Sequence, residues 1–81
     1  MHEVSLVFGI RAAVEKAARV YGLSRVFKIK LVVGQDLMVL PEAMAFAFEH
    51  LKRAPLTPDA VLEIEVRPGR DLLVENFEGE P

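Results

Sequence analysis

The first three residues, Met1-His2-Glu3, carry the most unusual chemistry of this 81-residue chain. They place an α-amine, two backbone nitrogens and an imidazole close together. Nitrogen donors of this kind suit a borderline divalent metal such as nickel or copper, and Ni(II) with such donors favours a square plane. The plane can include deprotonated backbone amides. The segment therefore predicts a metal site.

The backbone nitrogen of His2 can have two neighbouring donors in that plane. Its own imidazole closes a ring on one side, and either the Met1 amine or the Glu3 nitrogen closes a ring on the other. The donor opposite must come from elsewhere: the Glu3 or Asp36 carboxylate, His50, water or a group on a partner chain. His50 is more simply interpreted as a surface residue that suits the negative end of a helix dipole.

Composition restricts the other function classes. The chain has no Cys, which excludes disulfides and a thiolate zinc site. A formal net charge of -2 with mixed signs argues against nucleic-acid binding. We find neither a membrane-spanning run nor a signal peptide, and so predict a cytoplasmic protein with no membrane partner. No catalytic triad or phosphate-binding glycine loop is evident, which predicts that the chain is not an enzyme.

Hydrophobic periodicity predicts the elements that must position the metal segment. They are a helix Glu3–Tyr21, a strand Arg25–Val33, a helix from Pro41 that ends before Pro55 and Pro58, a strand Val61–Arg67 and a strand Asp71–Phe77. Gly22 can close the first helix in the left-handed conformation, and Gly34 ends the first strand. Pro41 fits the first turn of the second helix, where its missing N–H is not needed.

The same periodicity predicts which side chains are buried. They are Leu6, Ile10, Ala13, Val14, Ala17 and Tyr21; Phe27, Ile29, Leu31 and Val33; Met44, Ala47, Phe48 and Leu51; and Leu62, Ile64 and Val66. Phe46 is also expected in the core, because aromatic residues dominate small cores.

We predict an α+β fold in one small domain, with two helices on one face of a three-stranded mixed sheet in the order α-β-α-β-β. The helix between the first two strands allows a right-handed crossover, which makes those strands parallel. The turn 67–70 contains Pro-Gly and should return the third strand antiparallel as the hairpin partner of the second. The open face then carries charged residues that can pair across strands: Lys28, Lys30, Glu63, Glu65 and Glu75.

Four short segments carry a family resemblance. They are Met1-His2-Glu3-Val4-Ser5-Leu6, Val33-Gly34, Pro41-Glu42-Ala43 leading to Phe46-Ala47-Phe48-Glu49, and Ala60-Val61-Leu62-Glu63-Ile64-Glu65. With these segments the chain resembles the HypA/HybF family of hydrogenase and urease maturation proteins, which deliver nickel. The resemblance implies that residues 1–81 form one nickel-binding domain. It also implies that His2, Glu3 and, more weakly, Met1 bind Ni(II) as transient cargo for a maturation partner or client metalloenzyme.

The chain departs from the family pattern at several positions. The turn 67–70 stands where the family usually inserts a zinc domain with paired Cys-x-x-Cys motifs, so we expect no structural zinc there. Gln35 and Leu40 replace residues that tend to be acidic, which removes two possible carboxylate donors. Leu40 also leaves the second helix without a polar N-cap, unless Asp36 compensates.

Two further features keep other interpretations open. Val7 and Phe8 stand where the family commonly has smaller or polar residues, and such a pair beside the metal segment suits a homodimer or client contact, although single exposed apolar residues are common. The alternative function is a metal-free protein-interaction module that retains the fold without nickel delivery. The retained Met1-His2-Glu3 favours nickel binding, whereas Gln35 and Leu40 favour the alternative.

Overall fold

The computed structural model describes residues 3–81, so Met1 and His2, with the site predicted on them, lie outside the described residues. Its elements are α1 Glu3–Val20, β1 Arg25–Gly34, a 3-10 helix Gln35–Leu37, α2 Pro41–His50, β2 Leu56–Arg67 and β3 Leu72–Glu80. The predicted α+β class and element order are confirmed, with the 3-10 helix as an addition. Within residues 3–81, no helix has the length and apolarity needed to cross a bilayer.

Local signals set the limits of both helices as predicted. At the end of α1, Gly22 has a φ of 71°. The Gly22 N–H donates to Arg19 O at 3.2 Å and the Leu23 N–H donates to Ala18 O at 2.8 Å, which is the Schellman pattern. Tyr21 falls after the last turn and is 73% exposed, so its predicted burial is wrong. Pro41 occupies the start of α2.

The sheet has the strand order β2-β1-β3, parallel between β1 and β2 and antiparallel between β1 and β3. The predicted hairpin between β2 and β3 is therefore wrong. The turn 67–70 instead carries the chain across the carboxyl end of β1, where the Gly34 N–H donates to Asp71 O at 2.6 Å. A Cβ on Gly34 would lie 2.5 Å from Gly69 O, so this crossing requires glycine.

Both helices pack on one face of the sheet. Side chains of α1, α2, β1 and β2 form the buried core, and apolar side chains of the 3-10 helix and β3 lie at the edge of this core. The alternation of inward-facing and outward-facing side chains in β1 is interrupted near the start of the strand, because the register shifts between Val26 and Lys28 in both strand pairings. Val26 is consequently fully buried, whereas Phe27 is 40% exposed, opposite to the prediction. Val66 is also exposed, at the end of β2.

The opposite face of the sheet carries cross-strand ion pairs among the predicted residues, and one further pair to Glu78, which was not predicted. They are Lys28 with Glu63 (3.4 Å) and Glu78 (3.6 Å), and Lys30 with Glu65 (3.4 Å) and Glu75 (3.7 Å). The hydrogen bond with Glu63 raises the pKa of Lys28, and the hydrogen bond from Arg67 lowers the pKa of Glu65. Exposed pairs of this kind add little stability, so they chiefly keep this face polar.

Candidate metal centre

The candidate metal segment leads directly into α1, which begins at Glu3. The first N–H groups of an α-helix have no carbonyl partner within the helix. A metal can therefore bind the Glu3 nitrogen without breaking a helical hydrogen bond. The Glu3 carboxylate also lies at the positive end of the helix dipole, which favours a negative charge.

The Glu3 side chain reaches the residue that precedes α2. Its Oε2 accepts a hydrogen bond from the Leu40 N–H at 3.2 Å. Leu40 is the N-cap of α2 and has extended backbone angles, with no side-chain hydrogen bond at the cap. Among residues 3–81, no side-chain hydrogen bond of Asp36 reaches the start of α2, so Asp36 does not compensate for the missing polar N-cap. The two helices instead meet at their amino-terminal ends through Glu3.

The connection between β1 and α2 holds Leu40 in place. Its start is fixed to the turn 67–70, because the Asp36 N–H donates to Gly69 O at 2.8 Å. Met38 then takes the left-handed conformation with a φ of 56°, and its N–H donates to Gln35 O at 3.2 Å. Leu37 and Val39 pack against the core. This connection thus runs as a fixed segment from the sheet to Leu40.

The structure does not bring His50 to this place. His50 is the last residue of α2, about 13.5 Å along the helix from its first residue at a rise of ~1.5 Å per residue. Its Nδ1 pairs with Phe46 O at 3.0 Å, and the His50 and Phe46 rings pack at an angle of 46° with centroids 4.5 Å apart. Within residues 3–81, no group of three His, Asp or Glu side chains is arranged to hold a metal ion.

An apolar cleft lies beside Glu3, between the first turns of the two helices. It is about 500 Å³ in volume and is lined by Glu3, Val4, Ser5, Ala43, Phe46 and Ala47. Phe46 is 69% exposed, so its predicted burial is wrong, whereas Phe48 is buried as predicted. Helical periodicity left Phe46 outside the buried stripe of α2, and its burial was predicted only because its side chain is aromatic.

The predicted contact formed by Val7 and Phe8 is partly corrected. Val7 is 1% exposed and belongs to the core, so it cannot contribute to a homodimer or client contact. Phe8 is 55% exposed. A homodimer through Phe8 alone stays a prediction.

Known proteins resemble this arrangement of helices and strands. A family model described as hydrogenase/urease nickel incorporation, metallochaperone, HypA, matches residues 1–72. The chain belongs to the HypA family. Hydrogenase maturation factor HypA of Moorella thermoacetica and that of Paracoccus denitrificans are each 44% identical to it over 70 residues. These alignments cover 86% of this chain and 62% of each relative, so the chain spans less than two thirds of their length.

A solved HypA structure has the same fold. The solution structure of the Ni metallochaperone HypA from Helicobacter pylori matches with a TM-score of 0.74 and 20% sequence identity. The match covers 94% of this chain and 72% of that one. The α-β-α-β-β arrangement described above is therefore the HypA fold.

Proposed function

We propose that this HypA-family chain is a nickel-binding accessory protein for the maturation of a hydrogenase-type metalloenzyme. The observation that carries the proposal is the family match, which includes the Met1-His2-Glu3 segment at its start. The relatives named hydrogenase maturation factor support the same role. Residues 1–81 act as one nickel-binding domain, in which the turn 67–70 stands in place of the zinc domain.

The nickel ion is cargo, and His2 anchors it. The His2 imidazole and the His2 and Glu3 backbone nitrogens supply three donors, and the Met1 amine is an alternative to the Glu3 nitrogen. The Glu3 nitrogen suits this role because Glu3 is the first residue of α1, so metal binding there breaks no hydrogen bond of the helical ladder. The position opposite the His2 nitrogen stays open to the Glu3 or Asp36 carboxylate, to water or to a group on a partner. An incomplete donor set favours release, as a carrier requires.

Calorimetry with Ni(II) on protein that starts at an unextended Met1 tests this proposal. We expect about one ion per chain and no binding by His2→Ala, because the imidazole anchors the chelate. His50→Ala is the matched control, since the sequence has two histidines and His50 pairs with Phe46 O at the end of α2. Equal nickel affinity in His2→Ala and the parent protein would exclude His2 from the site.

The alternative function is a metal-free interaction module. It predicts that the parent protein takes up no more nickel than His2→Ala does. Gln35 and Leu40 favour it, because both replace possible carboxylate donors near the start of α2. The calorimetric comparison therefore separates the two functions in one experiment.

A further inference from the structure

We propose that the Glu3 carboxylate is a positioning group, which fastens the metal segment to the N-cap of α2 at Leu40, and that it is not a nickel ligand. This inference rests on the proposed function and refines it. Glu3 then contributes to the metal site through its backbone nitrogen. The observation is the hydrogen bond from the Leu40 N–H to Glu3 Oε2, which joins residues 37 positions apart at 3.2 Å.

The donor of this hydrogen bond is fixed before any metal binds. Leu40 O accepts the N–H of Met44 at 3.0 Å, so the residue is already tied to α2. Pro41 follows it and has a restricted φ. On the other side, Val39 packs against the core and Asp36 is bonded to Gly69. The Leu40 N–H is therefore a rigid point to which the start of α1 can be attached.

A carboxylate in this position is better suited to orientation than to coordination. A hydrogen bond from a backbone N–H to a charged oxygen is favourable, and coordination through that oxygen would compete with it. The terminal turn of a helix otherwise frays. Holding Glu3 reduces the backbone entropy that nickel chelation must remove. The side chain thereby orders the turn whose nitrogen binds the metal.

Variants on both sides of the hydrogen bond test this role through nickel affinity. Removal of the acceptor in Glu3→Ala should weaken binding about tenfold, whereas Glu3→Gln keeps an acceptor oxygen and should stay within about threefold of the parent. Leu40→Pro removes the donor and leaves Glu3 intact, and the Leu40 φ of -93° lies close to the proline range. It should also weaken binding, because the Glu3 carboxylate then loses this donor.

The double variant and a matched control complete the design. Glu3→Ala with Leu40→Pro should weaken binding by clearly less than the sum of the two single changes, because both remove the hydrogen bond between Leu40 and Glu3. Glu42→Ala removes another carboxylate in a first helical turn and should leave nickel affinity unchanged. Circular dichroism and the melting temperature establish that each variant is folded. If Leu40→Pro does not fold, the nickel affinities of the two Glu3 variants and the exchange rate of the Leu40 amide test the positioning role.

Hydrogen exchange of the Leu40 amide is a readout that does not depend on nickel. Exchange should be faster in metal-free Glu3→Ala than in the parent, and nickel should not accelerate it in the parent. Faster exchange on nickel addition, or loss of binding in Glu3→Gln with normal binding in Leu40→Pro, would show that the carboxylate is a ligand. Nickel binding that is insensitive to His2→Ala would exclude His2 from the site, and a parent protein that binds no nickel would refute the proposed function. The exchange result would still stand in either case.

Discussion

Gly34→Ala should destabilise the protein although alanine fits the local backbone. Gly34 has φ -69° and ψ 131°, which any residue adopts. The added Cβ, however, would lie 2.5 Å from Gly69 O and 2.7 Å from Asp71 N. These are backbone atoms and cannot rotate away, so the turn 67–70 must move. We therefore expect the entire loss of stability to come from the contact between position 34 and the turn 67–70.

The magnitude follows from what the turn would lose. Its displacement strains two backbone hydrogen bonds, from the Gly34 N–H to Asp71 O and from the Asp36 N–H to Gly69 O. The two weakened hydrogen bonds and the overpacked contact together lower the free energy of unfolding by about 3 kcal/mol. This figure already includes the smaller stabilisation that alanine gives by restricting the unfolded chain. In a domain of this size that lowers the melting temperature by about 10–20 °C.

Urea denaturation followed by circular dichroism measures the effect, and Gly9→Ala is the matched control. Gly9 lies within α1, and a Cβ there would meet no atom within 4 Å. Alanine should stabilise that helix by about 0.5–1 kcal/mol. The same chemical change thus has opposite signs at the two positions. A Gly34→Ala protein as stable as its parent would refute the close crossing of the turn over β1.

Two further predictions concern the metal. A chelator should leave the melting temperature unchanged, because the chain has no Cys with which to build a structural zinc site; a large drop would contradict our interpretation of the turn 67–70. Nickel affinity should fall steeply as the pH drops below the range in which His2 is neutral, because imidazole and amide binding releases protons. A purely carboxylate site would persist toward pH ~4. In a visible titration we expect a yellow band that fades on mild acidification, and pale green octahedral nickel at neutral pH would rule out the amide chelate.

The parts of the fold that follow from local signals were predictable. Gly22 ends α1 and Pro41 begins α2 because each has a backbone preference that acts within a few residues. The alternation in β1 and β2 likewise reflects one face turned to the core. The strand pairing was not predictable in this way. A four-residue turn suits a hairpin and a crossing equally, and in the sheet β3 lies on the free edge of β1 and not on that of β2.

The candidate site, like the fold, was predictable only where local sequence signals determine it. Sequence indicated Glu3 as part of the metal segment, because its type and position are visible in the chain. It did not indicate that the carboxylate meets the Leu40 N–H, since that contact exists only once α1 and α2 pack side by side. The burial of Val26 in place of Phe27 was not predictable for a similar reason. A single irregularity in the strand pairing reverses which residues face the helices.

The central position of β1 has a consequence for how the chain folds. β1 pairs with β2 and β3, and no pair in the sheet joins residues close in sequence; Val26 and Leu56, 30 residues apart, are the nearest. Each pairing must therefore close a long loop before any contact compensates for the lost entropy. A high contact order of this kind slows folding. During synthesis β1 must wait until residues 72–80 have been made before both of its edges are covered, so the most apolar strand of the molecule is the one longest exposed to aggregation.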